Sequence, residues 1–148
     1  MTPTSPDAIV QYILSLLTGS PTLPADLAGS DRILDNDLLP LAIEELPAIG
    51  VYLADDKFLS VKEDHGLDYR VATIRVEIRA VGPMLQGTAT FRNWVKTSIL
   101  QEPTLGGLVR STTYASFAPF GVPSNVRLAG ADLDFEATYL DYTEQING

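Results

Sequence analysis

The sequence predicts a single α+β domain over residues 1–148, a mainly antiparallel sheet with two principal helices packed on it. Three observations predict it. Apolar residues recur at helical spacing over residues 9–17. They alternate at strand spacing over residues 69–81, and helical spacing returns over residues 84–101 before a last alternating run that reaches Tyr142.

In the first helix Ser5 is placed to cap, Pro6 suits the first helical position, and Asp7 puts a negative charge by the positive end of the dipole. Ile9, Tyr12, Ile13, Leu16 and Leu17 form one apolar face, and Gly19 is a natural stop. Residues 20–30 are turn-rich and read as a loop. Within the ambiguous stretch 31–46, Arg32-Ile33-Leu34 fits a short strand, followed by an acidic, leucine-rich connector. From Pro47 the text changes. Ala48 to Ala54 is a nearly continuous apolar run, as expected of a strand buried on both faces, and it ends in Asp55-Asp56-Lys57. A weaker segment, Phe58 to Lys62, and a charged turn, Glu63-Asp64-His65-Gly66, follow.

The strongest strand runs from Tyr69 to Val81. Ala72, Ile74, Val76, Ile78 and Ala80 point one way, while Arg75, Glu77 and Arg79 line a wet, charged face. Gly82-Pro83 breaks it. The second helix, roughly 84–101, carries Phe91, Trp94, Val95 and Ser98 on one side, with Met84, Thr88 and Ile99 flanking, and Pro103 stops it. Two strand-like segments close the pattern, Val109 to Phe117 and Val126 to Tyr142, the second interrupted at Gly130. Between them Ala118 to Pro123 reads as a Pro/Gly-rich loop with an exposed Phe. In the last strand Leu133, Phe135, Ala137 and Tyr139 alternate with Asp132, Asp134, Glu136 and Thr138.

Composition narrows function by exclusion. The chain has 148 residues, a formal charge of −9 and no cysteine. Disulfides, thiolate metal sites and cysteine nucleophiles are therefore excluded. With a pI near 4.4 it is a poor sequence-independent ligand for duplex nucleic acid, which is bound through Lys and Arg. Positions 1–8 lack the basic start of a signal peptide, and no stretch approaches the ~20 apolar residues of a membrane span, so a soluble protein made in a cytoplasm is expected.

The motifs of known chemistry are missing. His65 is the only histidine, so metal sites built on paired histidines are excluded. There is no G-x-S-x-G elbow, no P-loop and no G-x-G-x-x-G. Asp31, Asp35 and Asp37 lack the glycine and distal Glu of a calcium loop. Asp132, Asp134 and Glu136 stand about 7 Å apart along one strand face, a spacing that holds a cation only with outside help. The expectation is a non-enzyme without cofactor or metal, whose function is carried by its surfaces, sheet edges among them.

In order and length the segments resemble the tail terminator proteins of long-tailed bacteriophages and related phage-like particles. The resemblance rests on the amphipathic first helix, the phrase Leu46-Pro47-Ala48-Ile49-Gly50-Val51-Tyr52-Leu53 and the charged hairpin with its alternating strand. A Trp-bearing helix, Pro103-x-Leu105-x-x-Leu108 and the final strand complete it. It implies a subunit of a homo-hexameric ring in the virion, at the neck-proximal end of the tail, assembled in the bacterial host cytoplasm. Such a ring caps the tail tube, stops its polymerisation and offers a joining surface to the head-side connector or neck protein, while DNA passes through its channel unbound and no membrane is involved.

On that reading the charged hairpin Asp55 to Asp68 is the first candidate for a subunit or tube contact, with Asp55, Asp56, Lys57, Lys62 and Glu63 named in it. The loop at Phe117 and Phe120 is the second, and Asp132, Asp134 and Glu136 are candidates for the channel lining. Two alternatives stay open: another ring protein of the head–tail junction, and a small divalent-metal enzyme drawing together carboxylates such as Asp35 and Asp132.

Overall fold

The computed structural model describes residues 2–28, 32–36, 43–61, 66–83, 86–122 and 128–142. Helix α1 (Pro6–Thr18) begins as its sequence dictates: the Ser5 hydroxyl accepts from the Ala8 amide at 3.2 Å, and Gly19 closes the last turn. Strands β1 (Ile33–Leu34), β2 (Ala48–Val61) and β3 (Leu67–Val81) follow, then helix α2 (Ala89–Leu100) and strands β4 (Ser111–Val122) and β5 (Leu128–Tyr142). The five strands form one sheet in the order β1-β2-β3-β5-β4. β1 runs parallel to β2, and every other pairing is antiparallel.

Register explains the core. Ile49, Ile78 and Ala131 lie in one row across β2, β3 and β5, with Val51, Val76 and Leu133 in the next and Leu53, Ile74 and Phe135 in the third. Those rows share a face with the buried stripes of both helices, Ile9, Val10, Ile13 and Leu17 from α1 and Phe91, Trp94, Val95 and Ile99 from α2. The core is therefore a sheet covered by helices on one side, and the other side carries no helix among the described residues.

Two close approaches lock the connections. A Cβ on Gly82, whose φ is +141°, would stand 3.0 Å from the Gly87 backbone where the chain leaves β3. Gly106 (φ +67°) lies against the Tyr12 ring, 2.8 Å from where its own Cβ would be, and the Tyr12 hydroxyl donates to Glu102 at 2.7 Å. Only glycine fits both conformations.

Four expectations need correction. β2 does not end at Asp55: it continues to Val61 through bulges at Ala54 and Leu59, so the weaker segment is the same strand. The helix predicted over 84–101 is regular only from Ala89, after a 3₁₀ turn at Gln86–Thr88. β4 runs on to Val122, so Phe117 to Val122 is an edge strand and not a loop, since an edge tolerates Pro119. Gly130 does not interrupt β5; it pairs with Arg79 on one side and Phe120 on the other.

Candidate functional site

The helix-free face of the sheet holds most of the chemistry. Rows that alternate with the core rows place Tyr52, Arg75, Asp134 and Ser116 side by side across four strands, with Glu77, Asp132 and Ala118 in the neighbouring row. Arg75 grips Asp134 with two bonds, Nε to Oδ1 at 2.8 Å and Nη2 to Oδ2 at 3.1 Å, and the Ser116 hydroxyl donates to the same carboxylate at 3.3 Å. Arg79 bridges two acids, donating to Asp132 at 3.1 Å and to Glu77 at 3.2 Å. The Tyr52 hydroxyl donates to Glu77.

The face predicted to be wet is thus a closed ladder of charge-assisted bonds, and Glu77 at its centre is only 6% exposed. Its electrostatics are self-consistent. The Asp134 carboxylate pushes the Arg75 guanidinium further above its ordinary value. Burial, and then the hydrogen bond to Glu77, raise the Tyr52 phenol, with Arg75 opposing.

A second polar cluster sits on the opposite face, beyond the helices, where Asp56 accepts from Arg70 Nε at 3.2 Å and from the Tyr139 hydroxyl at 2.8 Å. Tyr139 is fully buried. Burial above all, then the bond to Asp56 and that carboxylate's charge, hold its phenol well above the ordinary value, against the pull of Arg70. The unfolded chain ionises this phenol near pH 10.0, so its contribution to stability is complete below that pH and is lost as pH rises toward the folded value. Unfolding free energy is expected to fall above about pH 10 by up to roughly 1.4 kcal/mol per pH unit for this group. Urea titrations of the wild type and Tyr139→Phe at about pH 9 and about pH 11 check it, the variant showing the shallower decline. Tyr12, Tyr52 and Tyr114, also raised, keep that decline from vanishing.

The named candidates separate. Asp55 is exposed and pairs with Lys57 at 3.3 Å. Asp56, by contrast, is an internal partner of Arg70 and Tyr139 and is not presented to a neighbour. Lys62 and Glu63 lie outside the described residues, as do Asp31, Asp37 and His65. Phe117 is half-buried against the core with the Arg92 guanidinium 4.6 Å above its ring. Phe120 is described only through its backbone, which pairs with Gly130. Asp132 and Asp134 are engaged by arginines, and Glu136 alone of the three is exposed.

Asp35, just past β1, and Asp132, on β5, lie three strand spacings apart, about 14 Å, so they do not converge on one ion. Among the described residues no three His, Cys, Asp or Glu side chains are grouped to hold a metal ion. No helix is long and apolar enough to cross a membrane among those residues.

Sequence reasoning missed an apolar stripe. Leu53, Phe58 and Val61 are 38%, 56% and 68% exposed, and their register puts all three on the helix side of β2, beside its outer edge. The two bulges hide the stripe in the sequence, because each shifts the alternation by one residue. Compared with protein-family models and with curated protein sequences, the chain matches none.

Proposed function

We propose that this chain is a tail-terminator subunit: six copies form a ring that caps a phage-type tail tube, stops its polymerisation and presents the opposite face to a head-side connector, with DNA passing through the middle. It works through surfaces, without catalysis, cofactor or metal. One observation carries the reading. The sheet ends in β4 on one side and in the two-residue β1 on the other, and because β1 covers β2 only at Ile49 and Gly50, the outer edges of β2 and β4 lack a strand partner over most of their length among the described residues. A subunit with two different sticky ends at opposite sides makes heterologous contacts, and those close into rings when each step adds the same rotation. The resemblance in segment order supplies the identity of the ring.

Termination then follows from mismatch, one ring face matching the growing tube end and the other offering no site for the next tube subunit. Of the three acids proposed for the channel, Glu136 is the one free to face passing phosphate, since Asp132 and Asp134 are neutralised within the sheet. The test is tube growth in vitro. Added to polymerising tail tube protein, the chain is expected to arrest elongation and to appear as a ring at one tube end in negative stain. Tubes of unchanged length and uncapped ends overturn the reading, and binding to a head-side connector without binding to tubes transfers it to another ring of the junction.

A further inference from the structure

We infer that the cavity where helices α1 and α2 end together is a binding site for a primary ammonium on a straight alkyl stem, the chemistry of a lysine side chain. The site is independent of the proposed ring.

Both helices finish at this one place. Ser15, Leu16 and Pro21 at the end of α1 and Ser98, Gln101 and Glu102 at the end of α2 line an open cavity of about 250 Å³. A helix leaves its last carbonyls without intrahelical donors and carries about half a negative charge at that end. A basic residue in the last turn ordinarily answers both, yet neither helix has one. Lys96, just before the last turn of α2, is held over the Tyr114 ring, 4.6 Å from its centroid.

The carbonyls of the last turns divide. Those of Ser15, Leu17, Thr97 and Ile99 accept from the amides that follow, whereas those of Leu16 and Ser98 accept no backbone bond among the described residues. Each helix therefore brings one uncompensated carbonyl to a residue on the cavity wall.

Glu102 adds a full charge and selects among cations. The Tyr12 hydroxyl donates to its Oε1 at 2.7 Å, which anchors the carboxylate and leaves Oε2 without a partner among the described residues. A guanidinium favours a bidentate clasp on both carboxylate oxygens, and Tyr12 already holds one of them. An ammonium needs only single acceptors in different directions. Its three donors match in number Glu102 Oε2 and the carbonyls of Leu16 and Ser98. Leu16 and Pro21 supply apolar surface for the methylene stem. The bond to Glu102, then burial and that carboxylate's charge, raise the Tyr12 phenol, so it stays the donor of this pair at neutral pH.

The test is a titration of the isotope-labelled full chain with small probes, followed by amide NMR. Capped lysine (Nα-acetyl-lysine methylamide) is expected to shift the amides of residues 15–20 and 98–102 saturably. Capped norleucine, which has the stem without the charge, should not, and capped arginine should bind several-fold more weakly than lysine. Glu102→Gln keeps an acceptor for Tyr12 while removing the charge, and should raise the half-saturating concentration of capped lysine about tenfold. Tyr12→Phe frees the second carboxylate oxygen, so arginine should draw level with lysine. Cadaverine distinguishes the source: binding no tighter than that of capped lysine fits the side chain of a docking protein, and far tighter binding fits a free diamine.

No saturable shift, shifts spread over the whole acidic surface, or arginine matching lysine in the wild type would each overturn the inference. So would an affinity unchanged in Glu102→Gln or a lysine preference unchanged in Tyr12→Phe.

Discussion

Phe135→Ala is expected to lower the unfolding free energy by about 4 kcal/mol, within the range for large-to-small aromatic truncations in a core. Phe135 is fully buried on β5, in the cross-strand row with Leu53 and Ile74, and meets the Tyr114 ring edge-on at 5.5 Å between centroids. Truncation removes the ring's transfer free energy, the aromatic contact to β4, and the support that the row gives to the helices above it. For a domain of this size the melting temperature should drop by about 10 °C. Phe135→Leu, which keeps most of the volume, should lose less than half as much. Thermal and urea unfolding followed by circular dichroism decide it. Equal losses for Ala and Leu would mean that the ring contact with Tyr114, and not the filled volume, is what holds β4 to the core.

How much of this packing is legible in the sequence varies along the chain. The alternation from Tyr69 to Val81 is visible because a period of two sorts residues by face with no knowledge of neighbours, and Ala72, Ile74, Val76 and Ile78 are all fully buried. The cap at Ser5 is equally local. What the sequence hides is register. Arg75 and Asp134 are 59 residues apart, and nothing in either strand says that they stand opposite one another. Each strand alone reads as a charged face open to water; only their pairing turns two wet faces into a closed ladder.

The hairpin shows the same limit differently. Asp55-Asp56-Lys57 has the composition of a turn, yet the strand continues, because the Asp56 carboxylate finds Arg70 14 residues later and Tyr139 83 residues later. Pro119 and Gly121 likewise read as loop residues until their place in the outermost strand is known, where a missing amide costs no ladder bond if it points away from the sheet. Charge and aromatic content mark the candidate contact residues in the sequence. Burial then divides them, moving Asp56 and Phe117 inward and leaving Asp55, Lys57 and Glu136 at the surface.

That division reshapes how an acidic channel would be tested. Replacing Asp132 and Asp134 with Lys is expected to cost about 4 kcal/mol, since each change removes a charge-assisted hydrogen bond worth roughly 1.5–3 kcal/mol and sets a cation beside Arg79 or Arg75. The guanidinium of Arg79 would keep Glu77, but Arg75 would lose both bonds to its carboxylate. Any loss of infectivity in that variant would report a damaged sheet. Glu136→Lys is different: the side chain is exposed, and surface changes of this kind usually shift stability by no more than about 0.5 kcal/mol. Urea unfolding should therefore show a large drop for the pair and almost none for Glu136→Lys. In the proposed ring, Glu136→Lys alone puts six new cations where phosphate is to pass, so DNA delivery should slow while tube arrest is unchanged. Normal delivery from particles carrying a stable Glu136→Lys ring would remove this face of β5 from the channel and turn the ladder toward a subunit or tube contact.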